Sequence, residues 1–106
     1  MRKIIKCLKA LANKNRLEIF EYLRKQEMNC NPSGDGCNVG DIAQQFDLAL
    51  STVSHHLKEL YEAELINCVQ RGQFVCCTLN RQTVAELENY FSSEYGLSKP
   101  SIEDQG

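Results

Sequence analysis

The stretch Leu48-Ala-Leu-Ser-Thr-Val-Ser-His-His-Leu-Lys-Glu-Leu-Tyr-Glu-Ala-Glu-Leu-Ile66 decides how the rest of the chain is read. Val53, Leu57, Leu60 and Tyr61 recur at helical spacing and predict one apolar stripe. Ser51 stands ahead of that stripe, and its hydroxyl can accept a bond from a backbone N–H two or three residues on, so a helix capped by Ser51 is expected. The opposite face carries Thr52, Ser54, His55, Lys58 and Glu59: short polar side chains at the helix start, then a cation. Such a face suits a helix whose N-terminal end enters a DNA groove, because short side chains let its backbone approach the bases. An ordinary solvated surface helix has the same periodicity, so the flanking sequence has to decide.

On the N-terminal side, Val39, Ile42, Ala43 and Phe46 predict a short helix, and residues 47–50 the turn that leads out of it. Two short helices joined by a tight turn, the second with a polar outer face, make a helix-turn-helix. Earlier still, Ile4, Leu8 and Leu11 share one face of a first helix, and Leu17, Phe20 and Leu23 that of a second, with Asn13-Lys14-Asn15 as the corner between them. Residues 28–38 contain Pro32, Gly34 and Gly36 and read as a loop. On the C-terminal side, residues 66–70 and 73–79 are rich in strand formers, with Arg71-Gly72 as the hairpin turn. Thr83, Val84, Leu87, Tyr90 and Phe91 then describe a last helix capped by Asn80. The expected architecture is mainly α with a small β-hairpin wing, in the order α-α-α-α-β-β-α, as one domain over residues 1–95 followed by a disordered tail over 96–106.

Length and charge bound the function. A chain of 106 residues buries a modest core, which a second subunit or a bound metal would reinforce. With 12 Lys plus Arg against 14 Asp plus Glu, the net charge is -2, which argues against a non-specific coat on nucleic acid. The first 25 residues nevertheless hold Arg2, Lys3, Lys6, Lys9, Lys14, Arg16, Arg24 and Lys25 against Glu18 and Glu21. Near the polar face of the proposed reading helix the cations are Lys58 and Arg71, so DNA affinity depends on a few placed contacts and on dimerisation. The basic start leads into an amphipathic helix, and no apolar run is long enough to span a membrane, so a reducing cytoplasm is expected. In that compartment 6 cysteines point to metal binding or redox sensing rather than to structural disulfides. An enzyme is not expected: there is no Cys-x-x-Cys, no carboxylate pair beside a histidine and no phosphate-binding glycine loop.

Taken together, Lys9-Ala-Leu-Ala-Asn-Lys-Asn-Arg16-Leu, Val39-Gly-Asp-Ile-Ala, Ser51-Thr-Val-Ser-His-His-Leu-Lys and Arg71-Gly-Gln-Phe-Val resemble the ArsR/SmtB family of bacterial metal-responsive repressors over residues 8–92. The resemblance implies a winged helix-turn-helix homodimer built from the first and last helices. It implies binding to double-stranded operator DNA without inducer, and release when a metal or metalloid binds. It assigns DNA reading to Ser51, Thr52, Ser54, His55 and Lys58, with Arg71 at the wing tip. The chain departs from the family pattern in three places. Leu50 stands where a polar residue is usual, no proline precedes Arg16, and neither the Cys-Val-Cys of one sensor class nor the Asp and His residues of another is present.

The sensor must then be sought among the thiols. Cys76-Cys77 takes the place of an aromatic pair usual in the family, and successive residues of a strand face opposite ways, so one of the two is expected to act. With the turn at Arg71-Gly72, Cys68 shares a face with Val75 and Cys77, and Cys76 shares one with Val69 and Phe74; a register slip by one exchanges them. The segment holding Cys37 commonly adds a short strand beside the second wing strand, and the loop can fold Cys30 back towards it. The expected site is therefore Cys30, Cys37, Cys76 and Cys77, with Cys7 and Cys68 as small hydrophobes in the packing. Three thiolates suit trivalent arsenic or antimony; four suit zinc or cadmium, and mercury is a further thiophilic candidate. A thiol redox or persulfide switch through Cys30 and Cys37 is an alternative on the same fold. A module with structural zinc and no operator is a second alternative.

Overall fold

The side chains with almost no exposed surface, Ile19, Leu23, Ile42, Val53, Leu60, Leu65, Ile66 and Cys77, come from helices and wing alike and form one core. They were located in a computed structural model that describes residues 2–28 and 36–92. The order is α1 (Arg2–Leu11), α2 (Lys14–Met28), β1 (Cys37–Asn38), α3 (Val39–Phe46), α4 (Leu50–Glu62), β2 (Ile66–Arg71), β3 (Phe74–Leu79) and α5 (Arg81–Phe91). This is the expected winged helix-turn-helix, with a short third strand added to the hairpin. Residues 96–106, expected to be a disordered tail, lie outside the described residues, and so does Cys30. Among the described residues no helix is long and apolar enough to cross a membrane.

Local chemistry accounts for the boundaries. Asn13 Oδ1 accepts from the Arg16 backbone N–H and opens α2; Asn38 and Asn80 do the same for Asp41 and Thr83 at the starts of α3 and α5. Asp47 closes α3 in the left-handed region at φ 53°, which an aspartate tolerates, and this makes the helix-turn-helix turn tight. Ser51 does not cap α4. The helix begins two residues earlier than that cap implies, at Leu50, and its N-cap is Ala49, which offers only its carbonyl oxygen to the Val53 N–H. The inward stripe of α4 is Val53, His56, Leu57 and Leu60, whereas Tyr61, expected in it, is 52% exposed. On α1 the buried positions are Cys7 and Ala10 rather than Leu8, because these small side chains let α1 lie close to the end of α4, where Cys7 Sγ donates to the Ala63 carbonyl at 3.4 Å.

The sheet order is β1-β3-β2, antiparallel throughout. Arg71 pairs with Phe74, so the hairpin loop is Gly72-Gln73 and not Arg71-Gly72. Gly72 at φ 61° supplies the positive φ that a two-residue hairpin needs there. The change shifts every cross-strand partner by two residues and leaves the expected faces intact.

Candidate nucleic-acid interface and the thiols beside it

Because α4 buries Val53, Leu57 and Leu60 against the core, the positions between them must face outward. Ser51, Ser54, His55 and Lys58 are exposed and Thr52 is half-buried, so the five expected DNA-reading residues of the helix run along its outer side. Leu50, at the helix start, is 58% exposed and belongs to the same surface. Arg71 is exposed at the end of β2, beside the wing loop. His56 is turned the other way. It is buried, its Nδ1 has no hydrogen-bond partner among the described residues, and burial, then Arg16 and His55, hold it below the usual imidazole value. The two adjacent histidines thus split between surface and core.

The thiols sit on the inner side of this surface. Cys37 pairs with Cys77 across β1 and β3, and Cys77 pairs with Cys68 across β3 and β2, so three cysteines form a row across the sheet on one face. Cys68 Sγ and Cys77 Sγ are 3.7 Å apart. Cys76 pairs with Asn38 and Val69 on the opposite face, which separates it from Cys77. Of the four thiols named in the sequence, the fold therefore sets Cys37 and Cys77 side by side, turns Cys76 away and adds Cys68. Among the described residues no three Cys, His, Asp or Glu side chains are gathered closely enough to hold a metal ion as they stand.

The pair is electronically unequal. The sulfur–sulfur hydrogen bond with Cys77 pulls the Cys68 thiol below its ordinary range against the opposing effect of burial. Cys77 is pushed well above that range by its hydrogen bond with Cys68, by burial and by the charge of neighbouring thiols. Cys68 is the sulfur that ionises first, with Cys77 holding its proton. A cavity of about 260 Å³ opens on the two sulfurs, lined also by Val39, Leu57, Tyr61 and Val75 and by the exposed Ser54 and Lys58. The sensor candidates and the outer side of α4 therefore share one cavity.

Gly36 seats the row. A Cβ at this position would lie 2.3 Å from the Cys77 carbonyl oxygen and 2.5 Å from Thr78 Cγ2, and the residue has φ 80°. Only a glycine lets β1 come this close to β3 and set Cys37 beside Cys77. The sequence marked Gly36 as a breaker without this role. It also left Cys68 among packing residues; the signal available was the strand face it shares with Cys77.

A family described as a helix-turn-helix domain matches residues 11–69. The transcriptional repressor SdpR of Bacillus subtilis is 30% identical over 82 residues, 77% of this chain and 81% of that one. The arsenical resistance operon repressor of the same organism is 33% identical over 87 residues, 82% of this chain and 75% of that one. Among solved structures, HlyU from Vibrio cholerae superposes with a TM-score of 0.65 at 27% identity, covering 90% of this chain and 95% of that one.

Proposed function

The chain belongs to the ArsR/SmtB family of winged helix-turn-helix transcriptional regulators, DNA-binding proteins rather than enzymes, and from that premise we propose that it is a homodimeric repressor whose grip on operator DNA is broken by a thiophilic ligand at the wing. In this reading Ser51, Thr52, Ser54, His55 and Lys58 read the major groove and Arg71 holds the backbone or minor groove from the wing tip. The inducer is trivalent arsenic or antimony, with cadmium, zinc and mercury as competitors. Its ligands are Cys37, Cys68 and Cys77; Cys30 is a fourth candidate from the preceding loop, and Cys76 faces away. Similarity to the arsenical resistance operon repressor supports a metalloid as the ligand class.

One observation carries the proposal: the 3.7 Å pair of sulfurs opens into a cavity that Ser54 and Lys58 also line. A ligand bound there stands between the reading helix and the wing. Three cysteines on three adjacent strands must close in to share one ion, which draws β1 and β2 towards β3 and shifts the wing against α4. A coupling of about 1–3 kcal/mol between the two sites lowers operator affinity roughly 5- to 150-fold. The reading is tested by fluorescence anisotropy on a DNA duplex selected for binding by this protein. Arsenite releases the DNA from the parent, and Cys77→Ser keeps DNA binding but loses release. Release from Cys77→Ser at the parent's arsenite concentration overturns it.

The same pair favours a second reading. Two thiols in contact across a hairpin can give up two electrons and two protons to a peroxide and join as a disulfide. Mass spectrometry of alkylated protein after mild peroxide separates the readings. Redox control requires a Cys68–Cys77 or Cys30–Cys37 bridge whose formation follows loss of DNA binding, and metalloid control requires none. The module with structural zinc and no operator gives way to the family assignment.

A further inference from the structure

We propose that Leu50 reads a base of the operator and selects thymine, through contact with its 5-methyl group in the major groove. This rests on the operator-binding reading above and deepens it to one position of the DNA. The first support is where the turn between α3 and α4 puts this side chain. Asp47 closes α3 in the left-handed region and Leu48 packs against the core, which anchors the segment between the two helices. Leu50, two residues on, is the first residue of α4 and is 58% exposed. The N-terminal residues of a reading helix are the ones that reach base edges. Leu50 and Ser54 stand one turn apart on the same flank of α4, the flank turned to the wing, where both line a cavity of about 380 Å³.

The second support is what surrounds that cavity. Phe74, itself 58% exposed, and Val75 line it from β3, so Leu50 is one wall of an apolar groove rather than a solitary exposed leucine. Cations border the groove on both sides: Lys58 lies one turn beyond Ser54 on α4, and Arg71 pairs with Phe74 in the β2–β3 ladder. An apolar groove between cations suits a polyanion that carries apolar groups between its phosphates. It also continues the surface on which the other proposed reading residues stand, whereas the helices proposed for the dimer are α1 and α5.

The choice of base follows from the side chain. On the major-groove edges guanine presents N7 and O6, adenine N7 and N6–H and cytosine N4–H, while thymine adds a methyl group beside O4. A leucine pressed onto any of the first three covers a polar group without pairing it, which is costly; against thymine it buries the methyl group, which is favourable. The selection rests on Leu50 alone, because Asn38, Ser54 and Gln73 also line the cavity and can meet polar groups.

The test starts from duplexes that the full chain selects out of a random pool. Each thymine of the selected site is replaced in turn by deoxyuridine, which removes the methyl group and keeps every hydrogen-bonding group, and affinity is followed by fluorescence anisotropy for the parent and for Leu50→Ala. At one thymine in each half-site the parent is expected to lose about fourfold in affinity, the effect of one buried methyl group, and about fifteenfold when both half-sites are replaced. Leu50→Ala, checked by circular dichroism to keep its helices, is expected to bind the two forms of that position alike and to keep the parent's response at every other thymine. A pool selected by Leu50→Gln is expected to exchange that thymine for adenine, which an amide can pair. If no thymine loses its methyl effect in Leu50→Ala, or if the Leu50→Gln pool keeps the thymine, the assignment is overturned and operator binding stands. A shift of Leu50→Ala to smaller species in sedimentation velocity, with the deoxyuridine losses unchanged, also overturns it and gives the groove to a second copy of the chain. Failure of the parent to enrich any sequence overturns the operator-binding reading itself.

Discussion

Cys68 and Cys77 show how one register turns packing residues into reagents. Opposed across the hairpin, Cys77 shares a sulfur–sulfur hydrogen bond with Cys68 that favours the Cys68 thiolate, the nucleophilic form. Because the Cys68 value is lowered, its alkylation by iodoacetamide should rise through a midpoint below that of a free cysteine. Cys77→Val removes the hydrogen bond, so labelling of Cys68 at pH 7.5 should slow several-fold, followed by peptide mass spectrometry; an unchanged rate would mean that the sulfur contact does not set the acidity. His56 works in the opposite sense. It is held neutral in the fold below its ordinary 6.5, so the unfolded chain takes up a proton first as pH falls. Stability is therefore full above pH 6.5 and declines as pH drops through and below that value. The urea midpoint should fall between pH 7.5 and 5.5, and His56→Gln should flatten that part of the decline.

β1 is two residues long, yet it delivers Cys37 to the sulfur row, and Gly36 is what permits it. Gly36→Ala places a methyl group against the Cys77 carbonyl at a positive φ, which should cost about 1–3 kcal/mol of stability. It should also raise the arsenite concentration needed for DNA release, while the helix-turn-helix, which takes from β1 only the Asn38 cap of α3, keeps its affinity in anisotropy. The helices were legible in the sequence because burial on one face imposes a 3.6-residue period, and Val53, Leu57 and Leu60 obey it. The start of α4 was not, since Ala49 caps through its carbonyl alone and leaves no side-chain mark, so Ser51 drew the assignment. The hairpin loop was misplaced by one residue because Arg71-Gly72 and Gly72-Gln73 both offer a glycine, and only pairing decides between them. The faces of the wing cysteines survived this, since a two-residue shift preserves alternation. The contact between Cys68 and Cys77 did not follow from alternation alone; it needs the register, which long-range pairing sets.

Across the whole molecule, Ile5 and Leu8 on α1 and Tyr90 and Phe91 on α5 remain exposed in the single chain. Lys3 Nζ lies 2.8 Å from Glu86 Oε1, which links α1 to α5, so this apolar surface sits on the two helices proposed for the homodimer. Leu8→Glu should shift sedimentation velocity towards monomer and weaken operator binding at least tenfold, because two half-sites are no longer engaged together. In the proposed function, dimer, reading helices and wings form one unit in which a sulfur-bound ligand acts at a distance from the helices that hold the dimer together. The decisive measurement is the anisotropy of operator-bound protein during an arsenite titration, run on the parent and on Cys68→Ser, Cys77→Ser and Cys76→Ser. Arsenite should release the DNA from the parent and from Cys76→Ser, and should leave Cys68→Ser and Cys77→Ser bound. Release from all four alike, or loss of release in Cys76→Ser alone, would contradict a sensor built on the Cys37–Cys77–Cys68 row.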